Sequence, residues 1–590
     1  MDFAERRRPP LTRALAIRAL LGWLAIVAVF VATRWHKIAT LDFDDVDDEL
    51  RLVQVRDLLH GQSWFDLHQY RIDPPHGVLM HWSRLVDLPL LLTYRLFAPL
   101  LGADLAERVM LIAVPLLTLG VALFFLGRLA WRLFDPELGA LACVVVALSP
   151  PFAAQFQPLR IDHHGWQIVA VLAAMNGLVA RRARLGGWVA GAALALGMSV
   201  SLELLPIAAL FGGVFALRWL EDRSESAMLV HFSMALATVS AASLVLTHGT
   251  ADLAAHCDTL SPPYLAGLGA IALGIGVLAW RKPSSWPLLL AGLGATALIA
   301  FATTIGLAPQ CSRGPFQALD PLVQQFWYAN VYEGRPVWLQ RPAAMLQMVV
   351  PPAVGLVAAI RLWREHTGWL KRFWRDYALV LAGLLVLGIA VARASAFSVA
   401  VGTVPLAWLV REWLRKLVAT RSLLVQLKYG AAVLLALLPG AFALALTSTP
   451  KAGQASHRDP MRVCNLQLAA RELSILPKAT LLAPLDIGPT LLAFSPHAVI
   501  ATGHHRAPAA MRDVIAAFIG TPEDAQRIAL AHSAGYVVLC PALPEAHNYQ
   551  DAAPHGLAAE LMAGRNPPWL RPLPLDPASG VKVWVVVAAR

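Results

Sequence analysis

The 590-residue chain is 57% hydrophobic and only 15% charged, with a mean hydropathy of +0.57, a balance that excludes an ordinary water-soluble globular protein. Its formal net charge of +11 gathers in short basic clusters between apolar runs. That pattern belongs to the cytoplasmic loops of a multi-span membrane protein and points to no nucleic-acid partner.

Apolar runs of roughly 17–25 residues, long enough to cross a bilayer as helices, recur from Ala14 to about Leu446. The expected architecture is a polytopic α-helical membrane domain over 1–447, followed by a soluble extracytoplasmic α/β domain over 448–590. Arg6, Arg7, Arg8 and Arg13 precede the first span, Ala14–Val31. No small-residue cleavage site follows it, so it reads as a retained anchor of a bacterial inner (plasma) membrane protein with a cytoplasmic N-terminus. The clusters Arg128 to Arg132, Arg181 to Arg184, Arg218 to Arg223, Arg281–Lys282, Arg361 to Arg375 and Arg411 to Arg421 stay on that same side under one condition: the apolar run Leu85–Leu101 must lie in or on the membrane without crossing. About thirteen spans are then expected. The external segments become 34–105, 153–165, 248–263, 307–342 and the periplasmic residues after 448.

Parity gathers the polar residues on the outer face. Asp42, Asp44, Asp45, Asp47, Asp48 and Glu49 follow the first span, within the stretch Leu41 to Trp82; such a cluster either stays solvated or holds a cation. Asp162-His163-His164, in PLRIDHHGW, sits at the mouth of two apolar spans. Asp162 and His164, one residue apart, can place an oxygen and an imidazole nitrogen on one ion, suiting Mn²⁺ or Mg²⁺ with help from other carboxylates. A lone Asp-His-His is compatible with a hydrated loop, and the acidic loop on the same face favours the metal. HCD (His256–Asp258) joins that face. Glu333 lies among Phe326, Trp327, Tyr328, Tyr332 and Trp338, either an incidental acid in an aromatic belt or a functional carboxylate. Arg393, in VARASAF, is a cation near the outer end of a span, where it pairs with a phosphate or with a structural carboxylate.

In the soluble region ATLLAP, HAVIAT, GYVVLC and KVWVVV read as strands, with helices over Pro508–Ile519 and Thr521–Ser533. Gly503-His504-His505-Arg506 is a basic, imidazole-rich loop that either binds acceptor or phosphate or is simply solvated. Of the five cysteines, Cys257, Cys311, Cys464 and Cys540 fall outside, where disulfides persist, and their pairing is open. Walker, dinucleotide and Cys-x-x-Cys motifs are absent.

Four elements in this order resemble the catalytic subunit of oligosaccharyltransferases, of the C-type glycosyltransferase (GT-C) superfamily. Asp47, Arg56-Asp57 and Gly61 fit the family's first external loop, and Asp162 with His164 fit its second acidic motif, Asp-x-His in archaeal members. NVYEGRP with Glu333 resembles its later external loop, and Arg393 its late arginine on the lipid-linked diphosphate. The resemblance implies metal-dependent, inverting transfer from a polyprenyl-(di)phosphate-linked sugar to an acceptor. Asp47, Asp162 and His164 would hold the metal, Arg393 would contact the donor phosphate, and Asp47 or Glu333 would orient or deprotonate the acceptor. The family's Trp-Trp-Asp-Tyr-Gly motif is replaced by Ala483-Pro484-Leu485-Asp486-Ile487-Gly488. Asp486 remains as an acceptor-binding residue while both tryptophans are gone. Protein, lipid A, another membrane lipid and a polysaccharide all stand as acceptors, the lost tryptophans favouring the last three. A transporter or flippase of a lipid-linked saccharide is the competing class. It is disfavoured because the acids lie in external loops and no inverted repeat is visible.

Overall fold

The computed structural model describes residues 13–316, 319–447 and 464–587; Arg6, Arg7, Arg8 and the expected boundary at 448 lie outside the described residues. The chain divides into two compact units. One comprises Met1–Asp42, Ser83–Ser312 and Tyr332–Pro450, the other Phe43–Trp82, Arg313–Val331 and Lys451–Arg590.

The first unit is helical and membrane-spanning. Ten helices among the described residues are long and apolar enough to cross a bilayer, and twelve if each of two bent pairs is one span. The bent pairs are Pro136–Ala147 with Pro150–Phe156, at 80°, and Leu423–Leu437 with Pro439–Ala445, at 101°. Each break carries proline, which removes a helical N–H donor and blocks the preceding turn. With each bent pair taken as one span, the described residues come within one of the expected count of about thirteen. The difference is His164–Leu178, whose 15 residues reach only about 22 Å. All of its residues except Trp166 are buried, so neighbouring helices supply the apolar surround that length would otherwise have to find in lipid.

Close helix approach rests on small residues. A Cβ at Gly187 or Gly191 of helix Ala183–Val200 would stand 2.4 Å from the carbonyl oxygens of Met228 and Phe232. Charges within the apolar body are paired: Arg218 with Asp376, and Arg84 with Asp87 at 3.1 Å with both side chains fully buried. The latter pair opens helix Arg84–Leu101, the run expected not to cross. It is not among the candidate spans. Val86 and Leu90 are buried while Leu88, Leu92, Leu96 and Leu100 are exposed four residues apart, giving a one-sided apolar stripe.

The second unit is α/β. Strands β1 (His68–Gln69) and β2 (Val78–Leu79) form a small antiparallel ribbon. Strands β3 (Thr480–Leu482), β4 (Ala498–Val499), β5 (Ala534–Leu539), β6 (Leu570–Leu573) and β7 (Lys582–Val586) form a sheet of order β4-β3-β5-β7-β6. The β4-β3-β5 pairs are parallel and the β5-β7-β6 pairs antiparallel. Helices Pro508–Ile519 and Pro522–Ala531 follow the expected pattern, Thr521 capping the second by accepting the Asp524 N–H. Strand β6 escapes sequence reading because Arg571 and Pro572 interrupt its apolar run.

The first external loop is built into this unit. Ile72 bridges in parallel to Val499 of β4, with Asp73 N–H donating to the Val499 carbonyl at 3.0 Å and Val499 N–H to that of Arg71 at 2.9 Å. Disulfides join Cys464 to Cys540 in the second unit and Cys257 to Cys311 in the first. Cys143 is free.

Spin labels placed at residues 92 and 96 in reconstituted protein are expected to be relaxed by lipid-soluble oxygen and shielded from water-soluble nickel chelates; the reverse ranking would remove helix Arg84–Leu101 from the membrane surface. Replacing Cys540 by serine is expected to lower stability by roughly 2–4 kcal/mol, the usual worth of a disulfide closing a long loop. Melting of the purified protein in detergent, with and without reductant, measures this.

Candidate functional site

The Asp162 motif is delivered by a strained turn. Leu159 holds a left-handed backbone with φ of +74°, costly for a branched apolar residue, and its N–H donates to the Leu111 carbonyl at 3.0 Å. Gly165 follows the motif, and a Cβ there would meet the Gln155 carbonyl and the Phe156 ring at 3.1 Å. Within this packing one ligating atom each from Asp162, His163 and His164 lies within 4.8 Å of the others. All three residues are buried, and Arg160 stands 3.8 Å from Asp162. Burial pushes the Asp162 carboxyl up, but His163 and His164 beside it, aided by Arg160, hold it well below the ordinary carboxylate range. Thr118, Gln155, Arg160 and Trp166 line a small pocket together with Asp162.

A polar chain runs on from His164. Its Nδ1 lies 2.9 Å from Gln167 Oε1, and the Gln167 amide nitrogen donates to Glu203 Oε2 at 3.2 Å. Glu203 pairs with Arg393, and Arg393 Nη1 donates to Glu333 Oε1 at 3.1 Å. This order assigns the protons. Glu203 accepts only, so the Gln167 amide must turn its nitrogen there and its oxygen to His164, whose Nδ1 then carries the hydrogen. His164 Nε2 faces Asp162 Oδ2 at 3.4 Å, an ion pair when the ring carries a second proton and a pair of ligand atoms when it does not. Two acceptors in that position repel unless a proton or a cation lies between them. One carboxylate and two imidazoles fit a divalent ion of the Mn²⁺ or Zn²⁺ type better than an all-oxygen ion such as Mg²⁺.

Asp162, His164, Glu333 and Arg393 are thus linked within the membrane unit. His163, Gln167 and Glu203 are members of the same cluster that sequence reasoning missed. For Glu203 a signal existed: it is the lone acid at the head of an apolar span, SLELLP, where an ionisable group needs a reason. His256 of the HCD segment is engaged by Asp252 at 2.8 Å.

Asp47 and Asp486 belong to the soluble unit. Asp45 caps helix Val46–Leu59 by accepting the Asp47 N–H at 3.0 Å, and buried Glu49 accepts the Thr490 hydroxyl at 2.6 Å. Part of the acidic cluster therefore serves the helix N-terminus and its docking. The Asp47 carboxylate lies 3.1 Å from His504 Nε2. Asp486 keeps an exposed edge, yet the crowded surround pushes its carboxyl up. Its neighbour Glu545 is buried and accepts the Leu485 and Asp486 N–H groups at 2.7 and 2.9 Å and the Tyr549 hydroxyl at 2.5 Å. Burial, reinforced by the Asp486 charge, raises Glu545 to about 8.

The whole fold has relatives among solved structures. The archaeal oligosaccharyltransferase AglB of Archaeoglobus fulgidus, in complex with an inhibitory peptide and a dolichol-phosphate, matches with a TM-score of 0.66 at 15% identity, over 92% of this chain and 72% of that one. The chain has the oligosaccharyltransferase fold. The Archaeoglobus fulgidus oligosaccharyltransferase tethered with an acceptor peptide containing the NVT sequon gives 0.65 at 14% identity over the same shares. Its complex with Zn and sulfate gives 0.60 at 14%, over 91% of this chain and 70% of that one. No family model matches the chain, and no curated protein does.

Within this oligosaccharyltransferase-like chain, Glu545 gives a pH dependence of defined sign. Its ordinary value is 4.5 and its folded value about 8, so between the two the folded chain keeps a proton that the unfolded chain has lost. Stability should therefore fall as pH rises through that window and be unaffected by this group below it. Glu545→Gln, neutral throughout, is expected to flatten that slope. It should also be less stable at acid pH by about 1–3 kcal/mol, because an amide N–H would confront the backbone donors. Melting curves across the window check both, and parallel slopes would disprove the buried proton.

Proposed function

We propose that the protein is a metal-dependent membrane glycosyltransferase, transferring a sugar or oligosaccharide from a polyprenyl-(di)phosphate donor to an acceptor on the extracytoplasmic side of a bacterial inner membrane. The observation that carries this reading is the facing of His164 Nε2 and Asp162 Oδ2 at 3.4 Å, beside a cation, Arg393, able to meet a phosphate. Asp162, His163 and His164 would hold the ion. Asp47 enters as a further ligand from the order of the sequence motifs. When bound, such an ion supplies Lewis acidity toward the oxygens of a leaving phosphate.

The chain's own residues do the rest. Arg393 already spans Glu203 and Glu333, so a donor phosphate would take over the Glu333 side of the guanidinium while Glu203 keeps its grip. The released Glu333 carboxylate then accepts the acceptor's proton as its nucleophile bonds to the anomeric carbon and the bond from that carbon to the phosphate oxygen breaks. Attack from the face opposite the leaving phosphate inverts that carbon. The apolar helical body suits a long polyprenyl chain, and both disulfides suit an oxidising compartment, with the N-terminus cytoplasmic and the soluble unit periplasmic. AglB's structures hold a dolichol-phosphate and a peptide, which supports a lipid phosphate donor here.

For the acceptor, the replacement of two tryptophans by Ala483 and Pro484, both buried, favours a lipid, lipid A or a polysaccharide over a sequon peptide. Asp486 remains the acceptor-side carboxylate. Purified protein incubated with extracted, radiolabelled polyprenyl-linked sugars should label total membrane lipid or polysaccharide more than an Asn-x-Thr peptide. Transfer should require Mn²⁺, stop with EDTA, and fall by about 10²–10³ in Arg393→Ala and Asp162→Ala, the usual cost of removing one preorganised charge contact. Transfer indifferent to EDTA and to Asp162→Ala would refute the metal role, and no transfer from any donor would favour a flippase.

A further inference from the structure

The Gly503-His504-His505-Arg506 loop has no part in the chemistry above, yet His504 is among the most completely engaged side chains of the soluble unit. It is about 4% exposed. Its Nδ1 lies 2.9 Å from the Thr502 hydroxyl and its Nε2 lies 3.1 Å from Asp47 Oδ1. The Trp82 ring meets it edge-on at 5.0 Å and 87°, and the Arg51 guanidinium covers that ring at 4.6 Å. Gly503 lets the loop pass Trp327, whose Nε1 would stand 3.0 Å from any Cβ at that position.

The Asp47 carboxylate sets the hydrogen-bond direction on its side of the ring. Asp47 is a carboxylate and accepts only, so Nε2 donates. Nδ1 faces the buried Thr502 hydroxyl, which holds the other side of the ring. The backbone of Asp47 is fixed by the Asp45 cap at 3.0 Å, and its side-chain torsions set where the carboxylate points. A rigid donor on Oδ1 restricts those torsions.

We propose that His504 is the positioning residue of Asp47: the soluble domain, through Thr502 and His504, aims the first-loop carboxylate that takes part in binding the divalent cation. The inference rests on the ligand role of Asp47 given above. Partners that orient a ligand from behind typically contribute 10–100-fold in metal affinity. A histidine that merely fills the core would not show the selectivity of the following test.

Mn²⁺ binding alone is measured on the full-length protein in detergent, by electron paramagnetic resonance of free ion, without donor or acceptor. Wild type should bind Mn²⁺ saturably and Asp47→Asn should lose that binding. His504→Gln, whose amide nitrogen stands where Nε2 does, should stay within about threefold of wild type. His504→Asn, which reaches Thr502 but not Asp47, should weaken binding about tenfold or more. Thr502→Val, milder for folding, should weaken it several-fold, and melting temperature with the Cys464–Cys540 disulfide reports on integrity. If Asp47→Asn loses Mn²⁺ while His504→Asn and Thr502→Val bind as wild type, the positioning role is overturned and the ligand reading survives. Equal weakening by His504→Gln and His504→Asn also overturns it, in favour of packing. If Asp47→Asn binds as wild type, the ligand reading itself falls and takes the inference with it.

Discussion

A guanidinium inside an apolar helical body has to be paired, and Arg393 is paired twice. Glu203 and Glu333 come from chain segments 130 residues apart in sequence, yet both carboxylates meet the one side chain. All three side chains are half-buried, so each loses part of its hydration, and their mutual contact with further hydrogen bonds offsets that loss. Glu203 obtains that further bond from Gln167, and Gln167 passes the constraint to His164. A chain of obligatory partners thus runs from a cation able to meet a phosphate to a carboxylate and two imidazoles able to meet a metal. Its orientation follows from donors and acceptors alone.

The soluble unit answers a different constraint. The acidic first-loop helix is too polar to stand on its own, with Asp48, Glu49 and Arg51 all buried. It is completed by the C-terminal sequence: Thr490 meets Glu49, Val499 extends the sheet to Ile72, and His504 reaches Asp47. A loop of the membrane sequence is thereby structurally part of the last domain. This gives the soluble domain a direct physical hold on the first-loop carboxylate.

The departure at Ala483-Pro484 has a packing reason. Ala483, Pro484 and Leu485 face inward, while the N–H groups of Leu485 and Asp486 are taken by Glu545. The segment is organised around a buried carboxyl and its proton, not around large aromatic side chains at its surface. Substrate recognition by aromatic rings is correspondingly not built into these positions.

Much was legible in the sequence because it depends on short-range pattern. The lengths of apolar runs set the spans, the one-sidedness of the basic clusters marked Leu85–Leu101 as a run not expected to cross, and β-branched runs gave four of five strands in the soluble sheet. Asp162, His164, Glu333 and Arg393 could be singled out because a charge next to a membrane span is rarely accidental. What only the tertiary structure decided was partnership: that Glu203 and Gln167 join these residues, that His163 stands with Asp162 and His164, that His504 holds Asp47, and which cysteines pair. Each of those contacts links positions that are separated along the chain or turned by a local strain such as that at Leu159. Sequence pattern records which side chains must leave water, whereas the identity of the group that receives them is fixed only when helices and strands close into three dimensions.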